Sequence, residues 1–332
     1  MKILVLGGTG WLGRRAAQVA IAAGHEVVCT SRGSEGPAGA QQVSLDRDAD
    51  DALAALPATE WDAVVDVATH PGQVRRAVRD LGRRADRYVY VSTCDVYASL
   101  VDEGVDESAA LNAPLSADKM TMAEQYGPAK VACEQAVLTA FGSGRSVILR
   151  PGLIGGPGDP TGRSTYWPSR FAHPSNPQGQ VLVPDALDQL TSVIDVRDLA
   201  DWIIRLVERD ASGVFNATGN AIPLEQHLQA AREVAASTAS FAPASPPWLT
   251  AHDVSEWMGP RSLPLWINDP AECGVGALSN ARARAAGLTL CPLHDTLADT
   301  LAWAKRARVP TANGAGLTDA DERSLLAELG AL

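Results

Sequence analysis

The 332-residue sequence has few aromatic residues and fewer basic than acidic side chains. Phe, Trp and Tyr together make up 5% of it, and 28 basic residues stand against 39 acidic ones, giving a formal net charge of −11. A surface that is negative overall repels phosphate backbones. The composition therefore argues against nucleic acid as the main partner, although it leaves room for local basic patches.

Cysteine and histidine are also scarce. The five cysteines are widely scattered without a CxxC pair, and the six histidines are scattered too. This distribution fits a reducing compartment better than a disulfide framework and suggests no metal site. The opening "MKILVLGGTG" is too short an apolar run for a signal sequence or a membrane span. We therefore expect a cytoplasmic protein without a membrane segment.

Short β-rich runs alternate with helical segments along the first half of the chain. The runs "KILVLGG", "EVVCTSR", "QQVSL", "WDAVVDVA" and "RYVYVST" are separated by stretches of helical period. Such alternation predicts an α/β fold with a Rossmann-type, doubly wound parallel sheet.

The later half of the chain predicts a smaller lobe that is interleaved with the sheet domain. A glycine- and proline-rich stretch without clear period follows "SVILRPG", and strand and helix patterns resume in "TSVIDVRDLADWIIRLVE". We expect residues 1–155 and 190–219 to form the dinucleotide-binding domain and residues 156–189 and 220–310 to form the substrate-binding lobe. Residues 311–332 are expected to add a C-terminal helical tail.

A glycine-rich loop follows the first predicted strand and opens the first predicted helix. In "LVLGGTGWLG" the glycines Gly7, Gly10 and Gly13 are spaced three apart, as GxxGxxG rather than GxGxxG. Glycines let the backbone turn tightly and approach a pyrophosphate, and a helix N-terminus attracts anions. The strand and helix around the motif favour dinucleotide binding over a simple packing turn.

The residues after the second strand bear on which dinucleotide is bound. NAD-binding folds usually carry an acidic side chain there, for the ribose hydroxyls. This chain has Ser31 and Arg32, which suit a 2′-phosphate, so we prefer NADP(H), with NAD(H) as the alternative. Arg32 could instead be a solvated loop residue, and Asp46, after the third strand, could contact the adenine amino group.

The stretch "YGPAKVACEQAV" places Tyr126 and Lys130 four positions apart, hence on one face of a helix. Pro128 fits only if this is the first helical turn. A phenol titrates near 10, so a neighbouring ammonium would help it to exchange protons at neutral pH. Taken alone, the pair would be read as an ordinary helix surface.

Together these motifs resemble the extended short-chain dehydrogenase/reductase family, the group known as NAD-dependent epimerases/dehydratases. The matching pieces occur in the family's order over nearly the whole chain: "GGTGWLG", "YVYVSTCDVYA", "YGPAK", "LRPGLIGGPGD", "VIDVRDLA", "GVFNATG" and "DTLADTLAW". Each piece is weak alone, but the set is specific.

The resemblance implies roles for individual residues. Tyr126 would be the acid/base, Lys130 would hold the nicotinamide ribose and lower the tyrosine pKa, and Thr93 would hydrogen-bond the reacting oxygen, with Ser92 as the neighbouring choice. The residues expected to bind the cofactor are Gly7, Thr9, Gly10, Trp11, Leu12, Gly13, Ser31, Arg32, Asp46, Ala68, Tyr126, Lys130, Pro151, Gly152 and Ile154. Those expected to contact substrate are Thr69, His70, Thr93, Tyr166, Trp167 and Arg170.

Two departures from the family pattern limit the expected chemistry. Sugar dehydratases carry an acidic pair after the threonine, whereas this chain has Cys94 and Asp95, so dehydration is disfavoured. Gln73 stands where the family often has asparagine, which puts the family's proton relay in doubt.

Two further features have simpler structural interpretations. Trp248, Trp257 and Trp266 could line a pocket but are more typical of a lobe core. The six arginines within residues 75–87 could form a nucleic-acid patch, as in some distant relatives, but they surround one apolar face and suit a solvated helix better. In relatives this helix helps to form the dimer, so a homodimer is expected.

Three functions remain open on the sequence. The first is an NADP(H)-dependent oxidoreductase that acts on a carbonyl or alcohol of a small molecule, with hydride transfer by the nicotinamide and proton transfer by Tyr126. The second is a sugar or nucleotide-sugar epimerase that uses the same residues and holds its cofactor tightly. The third is a non-catalytic relative that binds a dinucleotide or RNA.

Overall fold

The computed structural model describes residues 1–33 and 35–330, so the end of the predicted tail, residues 331–332, lies outside the described residues. Its strands are β1 (Lys2–Leu6), β2 (Glu26–Ser31), β3 (Gln41–Ser44), β4 (Ala63–Asp66), β5 (Tyr88–Val91), β6 (Ser146–Pro151), β7 (Leu153–Gly155), β8 (Gln180–Pro184), β9 (Leu190–Thr191), β10 (Val193–Asp195), β11 (Gly213–Ala217), β12 (Ile222–Pro223), β13 (Ser240–Ala244), β14 (Ser255–Glu256), β15 (Gly259–Pro260), β16 (Ser262–Leu263) and β17 (Ala315–Gly316).

The α-helices connect these strands and close the chain. They are α1 (Trp11–Ala22), α2 (Pro71–Leu81), α3 (Tyr126–Phe141), α4 (Arg163–Ala172), α5 (Val196–Glu208), α6 (Leu224–Val234), α7 (Pro246–Ala251), α8 (Ala281–Ala285), α9 (Leu293–Ala307) and α10 (Asp319–Leu329). Among the described residues, no helix is both long and apolar enough to cross a membrane.

Seven parallel strands form the central sheet in the order β11-β6-β5-β4-β1-β2-β3. The interior strand β1 is buried on both sides, with Leu4 paired to Val28 of β2 and to Val64 of β4. Burial on both faces explains why the strands read as continuous apolar runs. The sheet, with helices on its two faces, confirms the predicted doubly wound Rossmann fold.

Each face of the sheet is covered by its own helices. One layer contains α1 and α5, whose apolar residues share a core with one side of the strands. The other layer contains α2 and α3, which pack against each other and against the opposite side. The strand order reverses between β1 and β4, and their carboxyl ends open a crevice at that point.

Helix α2 carries the arginine-rich stretch. Its apolar side chains Val74, Val78 and Leu81 are buried, as the sequence pattern predicted. Carboxylates accompany its arginines: Arg75 pairs with Asp118, and Arg79 with the adjacent Asp80, while Arg76 contacts three aspartates. Much of the positive charge on this helix is therefore neutralised within the chain.

A second core lies outside the sheet and is built from distant segments. It combines β8, α4 and α6 with residues 249–266, α9 and α10. Arg170 of α4 is fully buried in it and forms ion pairs with Asp319 and with the buried Glu322, both on α10. Helix α10 is thus held to this core by charge as well as by Leu325.

The predicted substrate contacts Tyr166, Trp167 and Arg170 were placed wrongly by the sequence. All three side chains are fully buried in the second core, where Trp167 donates its indole N–H to the Pro264 carbonyl. Residues without exposed surface cannot form the wall of a cleft. The stretch without clear period that holds them forms α4, and Arg170 packs against α10, some 150 residues later, so that the three side chains face the second core.

We predict that Arg170→Met lowers the free energy of unfolding by about 3–5 kcal/mol, because it leaves the Glu322 carboxylate buried without its partner. Arg306→Met, at an exposed position on α9, is the matched control and should change stability little. Denaturant unfolding measures both. The double variant Arg170→Met/Glu322→Gln should recover part of the loss, and a wild-type stability for Arg170→Met would contradict this account.

Candidate active site

The glycine loop closes tightly over the amino end of α1. Gly7 has a φ of +90°, and the Gly10 N–H donates to the Gly7 carbonyl at 3.0 Å. A Cβ on Gly13 would lie 2.3 Å from the Gly7 carbonyl oxygen, so only glycine allows this approach of helix and loop. No side chain caps α1, and its first N–H groups remain suited to an anion.

A cleft of about 300 Å³ opens beside this loop, at the point where the strand order reverses. Of the residues predicted to bind the cofactor, it brings together Gly7, Thr9, Gly10, Ser31, Arg32, Asp46 and Ala68. Trp11 is placed differently, because its indole N–H donates to the Pro157 carbonyl at 2.9 Å and so ties α1 to the loop after β7. Pro151 ends β6, Gly152 lies between β6 and β7, and Ile154 lies in β7.

Arg47 also lines this cleft, and it was not predicted from the sequence. Its guanidinium forms two hydrogen bonds, of 2.6 and 2.8 Å, with the fully buried Asp66 carboxylate at the end of β4. Despite burial, which opposes ionisation, the Arg47 charge and its hydrogen bonds hold the pKa of Asp66 below its usual value. The pair fixes the loop after β3 against β4.

Arg32 differs from Arg47 in its surroundings. Its side chain is exposed at the end of β2, and no carboxylate in residues 1–33 and 35–330 lies within 4 Å of its guanidinium. Gln73 also lines this cleft and donates to Asp48 at 3.0 Å. Its amide therefore belongs to the cofactor side, which argues against a proton relay through it.

Tyr126 is the first residue of α3, and Gly127 explains how closely it approaches β5. A Cβ on Gly127 would lie 2.1 Å from the Asp95 carbonyl oxygen, so the first turn of α3 rests directly on the turn after Thr93. Pro128 lies in that first turn, as predicted. The packing brings Tyr126 close enough to Thr93 for the Thr93 side chain to lower the pKa of the phenol.

Thr93 and Ser92 differ in a way that supports Thr93 as the residue facing the site. The Thr93 hydroxyl also accepts from the Asp95 N–H at 3.3 Å, which caps the short turn Cys94–Val96. The Ser92 hydroxyl is buried without a hydrogen-bond partner among the described residues. The neighbouring Cys94 thiol is buried, and burial raises its pKa well above its usual value, so it stays protonated.

Lys130 lies one turn beyond Tyr126 and is buried. Its ammonium donates to the Ala68 carbonyl at 3.0 Å and to the Val91 carbonyl at 2.6 Å, and lies 4.7 Å from the centre of the Tyr90 ring. Burial lowers the Lys130 pKa to about 8. Lys130 thus links the ends of β4 and β5 to α3.

The acidity of Tyr126 depends on charges across the cleft. Burial and, after it, the Asp95 carboxylate raise its pKa to about 12, against the opposing effects of the Thr93 side chain and the Arg163 charge. Arg163, at the start of α4, is thus a site residue that the sequence analysis missed. Its guanidinium lies 4.8 Å from the centre of the Trp257 ring.

A second cleft, of about 480 Å³, contains Tyr126. Asp95, Glu124 and Glu272 line it, together with Ser99 and Asn112. Thr69 and His70, predicted to contact substrate, are half-buried in the loop between β4 and α2, and the His70 Nδ1 has no hydrogen-bond partner among the described residues. Trp266 belongs to the second core, while Trp257 faces the Arg163 side of the site.

Comparison with known proteins agrees with this geometry. Residues 3–218 match the model of the family described as "NAD dependent epimerase/dehydratase family". The chain belongs to that family. It is accordingly an NAD(P)-dependent enzyme of the extended short-chain dehydrogenase/reductase type, as the resemblance implied.

One curated relative is the 2'-dehydrokanamycin reductase of Streptomyces kanamyceticus. It is 32% identical over 160 residues, which cover 46% of this chain and 43% of the relative. The chain therefore aligns with less than half the length of that protein.

Solved structures share the fold at low identity. The Bordetella bronchiseptica enzyme WbmH, in complex with NAD+, is 17% identical with a TM-score of 0.66, over 93% of this chain and 99% of that one. The UDP-N-acetylglucosamine 4-epimerase from Bacillus cereus is 16% identical with a TM-score of 0.64, over 92% of this chain and 96% of that one.

Proposed function

We propose that this enzyme is an NADP(H)-dependent oxidoreductase that interconverts a carbonyl and an alcohol on a small molecule. Tyr126 carries the proposal, because this phenol lines an open cleft and lies close enough to Thr93 for that side chain to act on its pKa. The relative named as a reductase supports this direction of chemistry.

The residues of the first cleft fit a dinucleotide. The close contact of Gly13 with the Gly7 carbonyl leaves room for a pyrophosphate at the uncapped start of α1. When bound, the nicotinamide would supply or accept the hydride. Ala68 lies in this cleft and accepts from Lys130, so the cofactor residues and the catalytic residues form one continuous site.

The protein residues would then move the proton and hold the oxygen. In reduction, the Tyr126 hydroxyl gives its proton to the carbonyl oxygen, while Thr93 orients that oxygen by hydrogen bonding. In oxidation, the phenolate of Tyr126 takes the proton back. The charge of Arg163 favours the phenolate and that of Asp95 opposes it, whereas the Lys130 ammonium mainly holds the ends of β4 and β5 together.

The preference for NADP(H) follows from the two arginines beside the adenosine end of the cleft. The Arg47 charge is already used by Asp66, whereas Arg32 has no carboxylate within 4 Å among the described side chains. A guanidinium in that position suits a 2′-phosphate. We therefore assign Arg32 as the phosphate contact, with Ser31 beside it.

We predict that Tyr126→Phe lowers kcat by about 10²- to 10⁴-fold, because it removes the proton donor and keeps the ring. Oxidation of NADPH with a carbonyl panel that includes 2'-dehydrokanamycin measures the rate. Tyr166→Phe, in the second core, is the matched control and should keep near wild-type turnover. Wild-type turnover in Tyr126→Phe would contradict the proposed role, as would a failure of every carbonyl to consume NADPH.

We predict that Arg32→Ala weakens NADPH binding by about 10- to 100-fold and leaves NADH binding unchanged, because it removes a charge-assisted bond worth about 1.5–3 kcal/mol. Titration of cofactor fluorescence gives both dissociation constants. Arg83→Ala, at an exposed position outside this cleft, serves as the control. Equal losses for NADPH and NADH would refute the phosphate contact.

A second function, sugar or nucleotide-sugar epimerisation, is favoured by the family to which the chain belongs. An epimerase returns the hydride to the same substrate and keeps its cofactor, so denatured protein would release a stoichiometric dinucleotide.

The homodimer stays a prediction. It is consistent with a groove between α2 and α3 whose lining includes Val78, Leu115, Ala132, Ala136 and Ala140.

A further inference from the structure

The cleft that contains Tyr126 is surrounded by carboxylates. Asp95, Glu124 and Glu272 line it directly, from three separate segments of the chain. The pKa of Glu272 is raised mainly by burial and by the charge of Asp95. The charges of Asp269 and Glu256 raise it as well, so these two carboxylates also act on Glu272. Three carboxylates thus line one small volume next to the proposed proton donor, and two more act on Glu272 from outside it.

These five carboxylates differ from many others in the chain because they have no cationic partner. Within residues 1–33 and 35–330, none of them lies within 4 Å of a Lys, Arg or His nitrogen. By contrast, Asp66 and Glu134 are each held by an arginine. The mutual repulsion around Glu272 is therefore left without a neutralising side chain.

Two cations act on Asp95, the buried Lys130 and Arg163, and they are fewer than the carboxylates of this group. Lys130 donates to two backbone carbonyls. Arg163 is engaged by other partners as well. Its guanidinium is shared between Asp159, the Asp95 side of the cleft and the face of Trp257. Asp159 is itself buried and accepts from Ser164 and Thr161 at the start of α4. The charges around Tyr126 therefore sum to a negative value.

We propose that the substrate of this site carries a protonated amine, which lies against Glu272, Asp95 and Glu124 while the reacting carbon faces Tyr126. A cation relieves the repulsion among these carboxylates, whereas the diphosphate of a nucleotide sugar would add to it. The inference rests on one part of the proposed function, namely that the substrate binds in the Tyr126 cleft.

Binding of non-reacting probes tests the charge preference separately from turnover. Calorimetric titration of the NADP+-loaded protein at physiological salt would compare kanamycin and spermidine, both amines protonated at pH 7, with neutral glucose and with UDP-glucose, which carries a diphosphate. We expect the amines to bind more tightly than the other two. Glu272→Gln should weaken amine binding by about two- to fivefold, the size of one exposed ion pair.

Glu60→Gln is the matched control, because this exposed residue lies before the amino end of β4, away from the cleft. It removes the same charge from the chain, and we expect it to leave amine binding unchanged. Three results would overturn the proposal: tighter binding of UDP-glucose than of both amines, no measurable binding of either amine, or equal losses in Glu272→Gln and Glu60→Gln. The last would mean attraction to the net charge of −11 rather than to the cleft.

A failure of the proposed oxidoreductase function gives a different pattern. In that case the amine preference and its loss in Glu272→Gln would persist, while NADPH would not be consumed and Tyr126→Phe would change nothing. Conversely, a reductase that is sensitive to Tyr126→Phe and binds no amine would retain the proposed function and remove only the charge assignment.

Discussion

The buried ammonium of Lys130 is the interaction on which the site geometry depends. A charge without hydrogen-bond partners could not stay in this interior, so Lys130 must be met by acceptors, and these are the carbonyls of Ala68 and Val91. The two carbonyls belong to the ends of neighbouring strands, and the lysine belongs to α3. One side chain therefore fixes the start of α3 at the carboxyl ends of β4 and β5, where Gly127 lets Tyr126 come close to Thr93.

An ion pair holds the middle of the same helix to the sheet. Glu134 of α3 accepts two hydrogen bonds, of 3.0 and 2.7 Å, from Arg150 of β6, in the segment "LRPG". Arg150 also donates to the Tyr97 hydroxyl, which donates to Asn216 of β11. These contacts fix the position of α3. Proton transfer requires such a fixed position, because donor and acceptor must lie within hydrogen-bond reach.

The strand, turn and helix positions of residues within one short segment were predictable from the sequence, while positions set by long-range packing were not. The glycine loop and the Tyr126/Lys130 pair each lie within one short segment with a defined strand or helix context. Arg163 and Arg170 are seven residues apart on α4, about 10 Å along its axis. Arg163, at the start of α4, acts on Tyr126, whereas Arg170, near its end, pairs with Glu322 of α10. Nothing in the local sequence pattern of α4 distinguishes these two arginines.

The most direct test of the central claim is the titration of Tyr126 itself, followed through its Cζ resonance in protein labelled with [¹³Cζ]tyrosine. The chain has five tyrosines, and Tyr126→Phe identifies the signal. The account predicts a pKa of about 12 in the wild type, a lower value in Asp95→Asn and a higher one in Arg163→Met. Identical titration in all three proteins would show that neither charge acts on Tyr126 and would contradict the proposed active site.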